Sequence, residues 1–243
     1  GTDAEELHRL GYQHRAWSKE AHALWHIAGF SQRQTLLDLG CGPGFTTFDL
    51  AGIVGSSGTV IAIDKSADYM HHLKGLMSAA CVDHVDARTG DYMSLKIAKE
   101  SLDGAYARWS LPWVDNPEEV VQLVVDGLKP GACFAVQEYL DWSTFCLYPK
   151  RQEVARVIEA ALQGWTEMEG DINIGARLPR MFTEAGLVVE HIAPLSKIGR
   201  PCDLHWEWPS TFWKIYTLKL RDMGYLSNKE VEDFLQAWNE AEK

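Results

Sequence analysis

Apolar residues along this chain recur with two different periods. In the first thirty positions Leu7, Leu10, His14, Trp17, Ala21, Leu24, Trp25 and Ala28 fall three and four apart, which predicts one amphipathic helix over residues 3–28. Thr2 with Glu5 three positions on reads as its capping box, Gly29 as its stop, and Gly11 as the point where it would break. From residue 35 short apolar runs alternate with helical ones: strand 35–39, helix 45–54, strand 59–63, helix 66–80, strands 84–88 and 102–108, helix 117–127 and strand 132–138. Such alternation predicts an α/β fold, a doubly wound and mostly parallel sheet with helices on both faces. Beyond Tyr139 the alternation lapses. Helices are expected over 150–168, 176–185, 209–223 and 227–241, with a sixth strand over 187–192 and no visible seventh. The chain thus reads as a single domain, 1–243, made of an N-terminal helical cap (1–30), a ligand-binding core (31–140), and a segment (141–243) holding a substrate cap, the sixth strand and the C-terminal helices.

Composition narrows the classes. No apolar run is long enough to span a bilayer, and residues 2–8 are polar and acidic, so neither a membrane span nor a secretory leader is expected. The five cysteines (41, 81, 133, 146, 202) form no C-x-x-C pair and are odd in number, which points to a reduced, cytoplasmic protein. A net charge of −11 with no Lys/Arg cluster argues against DNA or RNA as partner. A homodimer is left open. His22 and His26 have a metal-compatible spacing but no third ligand, so no metal is expected.

The chemistry centres on Asp38-Leu39-Gly40-Cys41-Gly42-Pro43-Gly44, a glycine-rich turn between a strand and a helix. Glycine lets backbone approach a ligand closely. A dinucleotide fingerprint needs G-x-G-x-x-G. Here Gly40 and Gly42 fit, but Phe45 stands at the third glycine's place and Gly44 comes one residue early. Asp64 ends the second strand, where a carboxylate can accept bonds from vicinal hydroxyls, as it also does in NAD sites, or simply cap the next helix. Arg108-Trp109 and Glu138-Tyr139 end the fourth and fifth strands, the side on which open sheets bind ligands.

The turn closely resembles the first motif of class I S-adenosylmethionine-dependent methyltransferases, and the later motifs recur in order. Val60 to Asp64, Thr89-Gly90-Asp91-Tyr92, the run Ser101 to Trp109, and Leu128-Lys129-Pro130-Gly131-Ala132 resemble the family's following segments. The look is of the ubiquinone/menaquinone-biosynthesis type and its small-molecule relatives. The resemblance implies a Rossmann-like fold and S-adenosylmethionine as cofactor, with S-adenosylhomocysteine as product. It also implies a cofactor site drawn from Asp38, Gly40, Cys41, Gly42, Gly44, Asp64, Lys65, Gly90, Asp91, Tyr92 and Arg108. In similar enzymes an N-terminal helix closes over the cofactor, which adds Tyr12, Gln13 and Trp17.

Methyl transfer is an in-line displacement in which the cofactor carries the electrophile, so no catalytic triad is required. Glu138 and Arg108 are the candidates for catalysis, each with a structural alternative as one half of an ion pair. Ten tryptophans and the run Trp206-Glu207-Trp208-Pro209 suit an aromatic acceptor pocket as well as plain core packing. Trp109, Glu138, Tyr139, Arg177 and Trp208 are the substrate candidates. The acceptor expected is a small, partly hydrophobic or aromatic metabolite. The rival readings are a protein or RNA methyltransferase and a non-catalytic S-adenosylmethionine-binding protein.

Overall fold

In the computed structural model, which describes residues 4–168 and 170–243, five strands form one all-parallel sheet in the order β3-β2-β1-β4-β5. The strands are β1 Thr35–Leu39, β2 Thr59–Asp64, β3 Val85–Thr89, β4 Leu102–Arg108 and β5 Leu128–Gln137. The helices are α1 Ala4–Ile27, α2 Phe45–Val54, α3 Ala67–Ala80, α4 Pro117–Gly127, α5 Gln152–Glu167, α6 Leu178–Glu184, α7 Leu204–Asp222 and α8 Asn228–Ala241. Helix α1 runs unbroken through Gly11; the expected Thr2–Glu5 capping box rests partly on residues outside those described.

Strand period decides which core each side chain joins. Leu36, Val60, Ala62 and Tyr106 face Trp25, Leu50, Met70 and Leu73 on one side of the sheet. Leu37, Leu39, Ile63, Ala105 and Ala107 face Val120, Val121, Val124, Ile174 and Met181 on the other. A third, separate core is aromatic: Trp165, Trp206, Trp213, Phe234 and Trp238 bind α5, α7 and α8 into a helical cap. Helix α1 packs on α7 and on the sheet, so it joins cap to core.

Two expectations are corrected. Residues 187–192 form no strand. Leu187 packs on the second core while Val188 is 83% and Ile192 68% exposed. The apolar run Leu187-Val188-Val189 suits a strand, but a strand exists only through ladder hydrogen bonds, and β5 has a partner, β4, on one side alone. Helix α7 begins at Leu204 rather than at Pro209: Asp203 caps it by accepting the Trp206 N–H at 2.9 Å, and Pro209 lies inside the helix.

Candidate active site

Strand order reverses between β1 and β4, and there the carboxyl ends open a crevice. The glycine turn lines it. Gly40, Gly42 and Gly44 have φ of 72°, 54° and 95°, the left-handed region that favours glycine. At Gly40 a Cβ would lie 2.4 Å from Ser110 Cβ and 2.5 Å from the Tyr92 hydroxyl, so this position admits nothing larger. A Cβ at Gly42 would meet open space, so the position is held to glycine by its φ rather than by crowding.

Carboxylates set the turn's shape. Asp38, buried under the turn, accepts from the Thr46 and Thr47 hydroxyls at 2.9 and 2.7 Å, and burial pushes its carboxyl up to about 6. Asp64 accepts the Gly42 N–H at 2.9 Å and the Ser66 N–H at 2.8 Å. Each of its oxygens retains a lone pair for a further donor. Asp91 caps the single turn Tyr92–Ser94 through the Met93 N–H, and its side chain is exposed at the β3 end. The Tyr92 ring folds inward to Gly40, and burial drives its hydroxyl far above the ordinary range. Cys41 is buried; Lys65 is exposed; Gly90 donates to the Asp64 carbonyl.

At the β4 and β5 ends, Glu138 Oε1 accepts the Ser110 and Leu111 N–H groups at 2.9 and 3.0 Å. Burial raises its carboxyl to about 8. Arg108 Nη2 donates to His14 Nδ1 at 3.2 Å. Five buried polar atoms in this quarter have no partner: Trp17 Nε1, Arg108 Nη1, Ser110 Oγ, Gln137 Nε2 and Glu138 Oε2. Buried polar atoms are nearly always satisfied, so these five are the polar atoms around the strand ends left to meet water or a ligand.

Aromatic rings wall the crevice. Trp109, next after β4, has φ of 52°, a backbone conformation rare for a bulky residue. Its ring stacks on Tyr139 at 5.9 Å and on Trp208 at 6.5 Å, and meets Trp17 edge-on at 5.8 Å. Beyond Tyr139 lies a cavity of about 270 Å³, lined among others by Trp113, Tyr139, Trp142, Trp165, Phe212 and Tyr216, with Arg9 and Lys219 as its cations.

The structure therefore gathers Gly40, Gly42, Asp64 and Tyr92 with Trp17, Arg108, Trp109, Glu138, Tyr139 and Trp208. Arg177 stands apart: half-exposed, its guanidinium binds Asp171 and Glu118. Tyr12 turns to His8 and Arg15 along α1. Of the other tryptophans, Trp206 and Trp213 pack the cap core. His14 was read in the sequence only as part of the apolar stripe of α1, where nothing distinguishes it from core; Ser110 was placed with Arg108 and Trp109 at the end of the fourth strand but given no role.

Comparison with known proteins agrees with this geometry. The family described as "Methyltransferase domain" matches residues 36–131. An uncharacterized 37.1 kDa protein of a Streptomyces fradiae transposon is 28% identical over 167 residues, 69% of this chain and 47% of that protein. The 2-phytyl-1,4-naphtoquinone methyltransferase of Synechococcus elongatus is 33% identical over 127 residues, 51% of this chain and 52% of that enzyme. Among solved structures, geranyl diphosphate C-methyltransferase from Streptomyces coelicolor, determined with Mg2+, geranyl-S-thiolodiphosphate and S-adenosyl-L-homocysteine, superposes over 94% of this chain and 73% of its own, with TM-score 0.62 at 18% identity. The chain spans about half the length of the curated relatives it matches. Residues 36–131 thus match a methyltransferase domain, and the fold around them is that of S-adenosylmethionine-dependent methyltransferases.

Proposed function

We propose that the protein transfers a methyl group from S-adenosylmethionine to a small, partly hydrophobic or aromatic acceptor. The observation that carries the acceptor class is the aromatic cavity of about 270 Å³ behind Tyr139, at the carboxyl end of β5. A cavity of that size and lining suits a compact metabolite rather than a macromolecular segment. The net charge of −11 further disfavours nucleic acid. The same reading keeps the expectation of a cytoplasmic setting, which rests on the cysteine pattern.

When bound, the cofactor supplies an electrophilic methyl on a sulfonium; the acceptor's electron pair takes the methyl carbon, the carbon–sulfur bond breaks, and S-adenosylhomocysteine leaves. The residues at hand bind and orient. The glycine turn lets the cofactor approach closely, Asp64 and Asp91 present carboxylates, and Trp17, Trp109 and Trp208 exclude water. Glu138 follows β5 next to Tyr139, which lines the cavity, and its Oε2 has no partner; it is our candidate to hold or take an acceptor proton.

The test is methyl-labelled cofactor incubated with a panel of apolar and aromatic phenols, thiols, amines and activated carbon acids, beside a protein and an RNA panel. Label in a small product supports the proposal. Label only in macromolecules overturns the acceptor class, and cofactor binding with no transfer to anything favours a binding protein.

A further inference from the structure

Helix α7 turns one stripe into the aromatic cavity. Phe212, Ile215, Tyr216 and Lys219 all line it, at the spacing that puts helical side chains on one face. Rings carry the wall on toward the strand ends: Tyr216 stacks on Trp165 at 5.4 Å, Trp165 meets Trp142 at 4.9 Å, and Trp142 meets Tyr139 at 5.2 Å. The cavity is therefore a slot. Tyr139, just past β5, closes one end, and Lys219, on the turn of α7 beyond Tyr216, stands at the other.

Three charged residues line the slot, Glu6, Arg9 and Lys219, and two of them answer each other. Arg9 gives Nε and Nη2 to the two Glu6 carboxylate oxygens at 2.8 and 2.7 Å, and Nη1 to Gln13 Oε1 at 2.8 Å. Lys219 is exposed at the mouth and makes no ion pair among the described residues. One formal positive charge is thus left over on an aromatic and apolar wall, in a protein of net charge −11. Aromatic faces can also attract a cation. Here the Arg9 guanidinium carbon already lies 5.6 Å from the Phe212 ring centroid, and a cationic ligand would meet the Lys219 ammonium as well.

We propose that the methyl acceptor is an aromatic monocarboxylate, with its ring in the slot against Trp142 and Trp165 and its carboxylate at Lys219. The assignment rests on the methyl-transfer reading above and narrows its acceptor. Carboxylate at the Lys219 end leaves the opposite edge of the ring toward Tyr139 and Glu138, where the reacting atom has to lie. A single uncompensated charge suits a single negative one. A diphosphate would bring several charges to the same lysine and face the Glu6 carboxylate. Because Lys219 is exposed, water screens the pair, and the lysine selects among ligands more than it tightens them.

Calorimetry on the protein saturated with S-adenosylhomocysteine tests this with three ligands of one shape: 2-naphthoate, 2-naphthamide and 2-naphthylmethylamine. The carboxylate should bind about fivefold tighter than the amide, the upper end for an ion pair open to solvent, and the amine weakest. Lys219→Met keeps an apolar stem without the charge. It should erase the preference for naphthoate and leave naphthamide unchanged, whereas a merely structural lysine would weaken both alike. Lys219→Arg should keep the preference. Equal binding of acid and amide, a preference that survives Lys219→Met, or tightest binding of the amine overturns the carboxylate assignment, as does no binding of any of the three. Geranyl diphosphate that binds tighter than naphthoate, and loses that advantage in Lys219→Met, overturns it in favour of a polyanion. The S-adenosylhomocysteine titration that comes first judges the methyl-transfer reading by itself: no binding there overturns that reading whatever the naphthalenes do.

Discussion

The Gly42 N–H donates to Asp64 Oδ2 at 2.9 Å, so the carboxylate ending β2 clamps the glycine turn that follows β1. One side chain therefore shapes the turn, and we propose that its remaining lone pairs also take the cofactor's ribose hydroxyls. Asp64→Ala removes both functions and should cost roughly 1.5–3 kcal/mol of S-adenosylhomocysteine affinity. Asp64→Asn keeps one acceptor for Gly42 and should lose less. Calorimetry on the two variants checks this; an asparagine variant with wild-type affinity would mean that shaping the turn is the whole role, and equal losses that the Gly42 contact contributes nothing.

Glu138 gives a pH signature. Burial raises its carboxyl to about 8, so at neutral pH the free protein holds it mostly protonated. If Glu138 accepts the acceptor's proton, kcat/KM should climb as pH rises through about 8 and flatten above it, and Glu138→Gln should abolish that limb. Stability runs the opposite way. A carboxyl raised in the folded state is penalised once ionised, so its penalty is absent below the unfolded value and accumulates as pH rises toward about 8. Thermal melts across this window should show Glu138→Gln gaining on the wild type with increasing pH.

Asp38 separates shaping the turn from holding a ligand. Asp38→Ala leaves the Thr46 and Thr47 hydroxyls without their acceptor and should destabilise the fold by about 1–3 kcal/mol. Asp38→Asn can still accept from both and carries no charge to desolvate. Because burial raises the Asp38 carboxyl to about 6, the ionised form is penalised above that pH. The asparagine variant should accordingly match or exceed the wild-type melting temperature at neutral pH. A large fall would show that the charge itself is needed, for example by a bound cation.

The core of the fold is legible because period and punctuation agree there. β1 falls on residues 35–39 and α2 on residues 45–54, as the glycine turn between them requires. The segment after Tyr139 is harder for a physical reason. Residues 187–192 open on the apolar run Leu187-Val188-Val189, whose composition suits a strand, but pairing is a property of two segments and the composition belongs to one. Pro209 reads as a helix start because its ring suits the first turn, yet the Asp203 cap sets the boundary earlier. Within the site, the glycines and acids carry local signals. The Arg108–His14 contact joins residues 94 positions apart, and no local pattern announces it.

Trp109 offers a test of how the aromatic wall is held. Its φ of 52° is costly for a residue with a Cβ, and the stack with Tyr139 and Trp208 and the edge contact with Trp17 keep it there. Trp109→Ala removes the ring but retains the strained backbone. Trp109→Gly removes the ring and relieves it. Both variants lose the same contacts, so their difference isolates the backbone, and the glycine variant should be more stable by about 1 kcal/mol. Chemical denaturation at equilibrium measures that difference. Both should also weaken binding of a hydrophobic acceptor more than of S-adenosylhomocysteine, because the ring sits between the glycine turn and the Tyr139 wall. If alanine proves as stable as glycine, the backbone at position 109 relaxes once the ring is gone, and the stack with Tyr139 and Trp208 is what imposes the left-handed conformation.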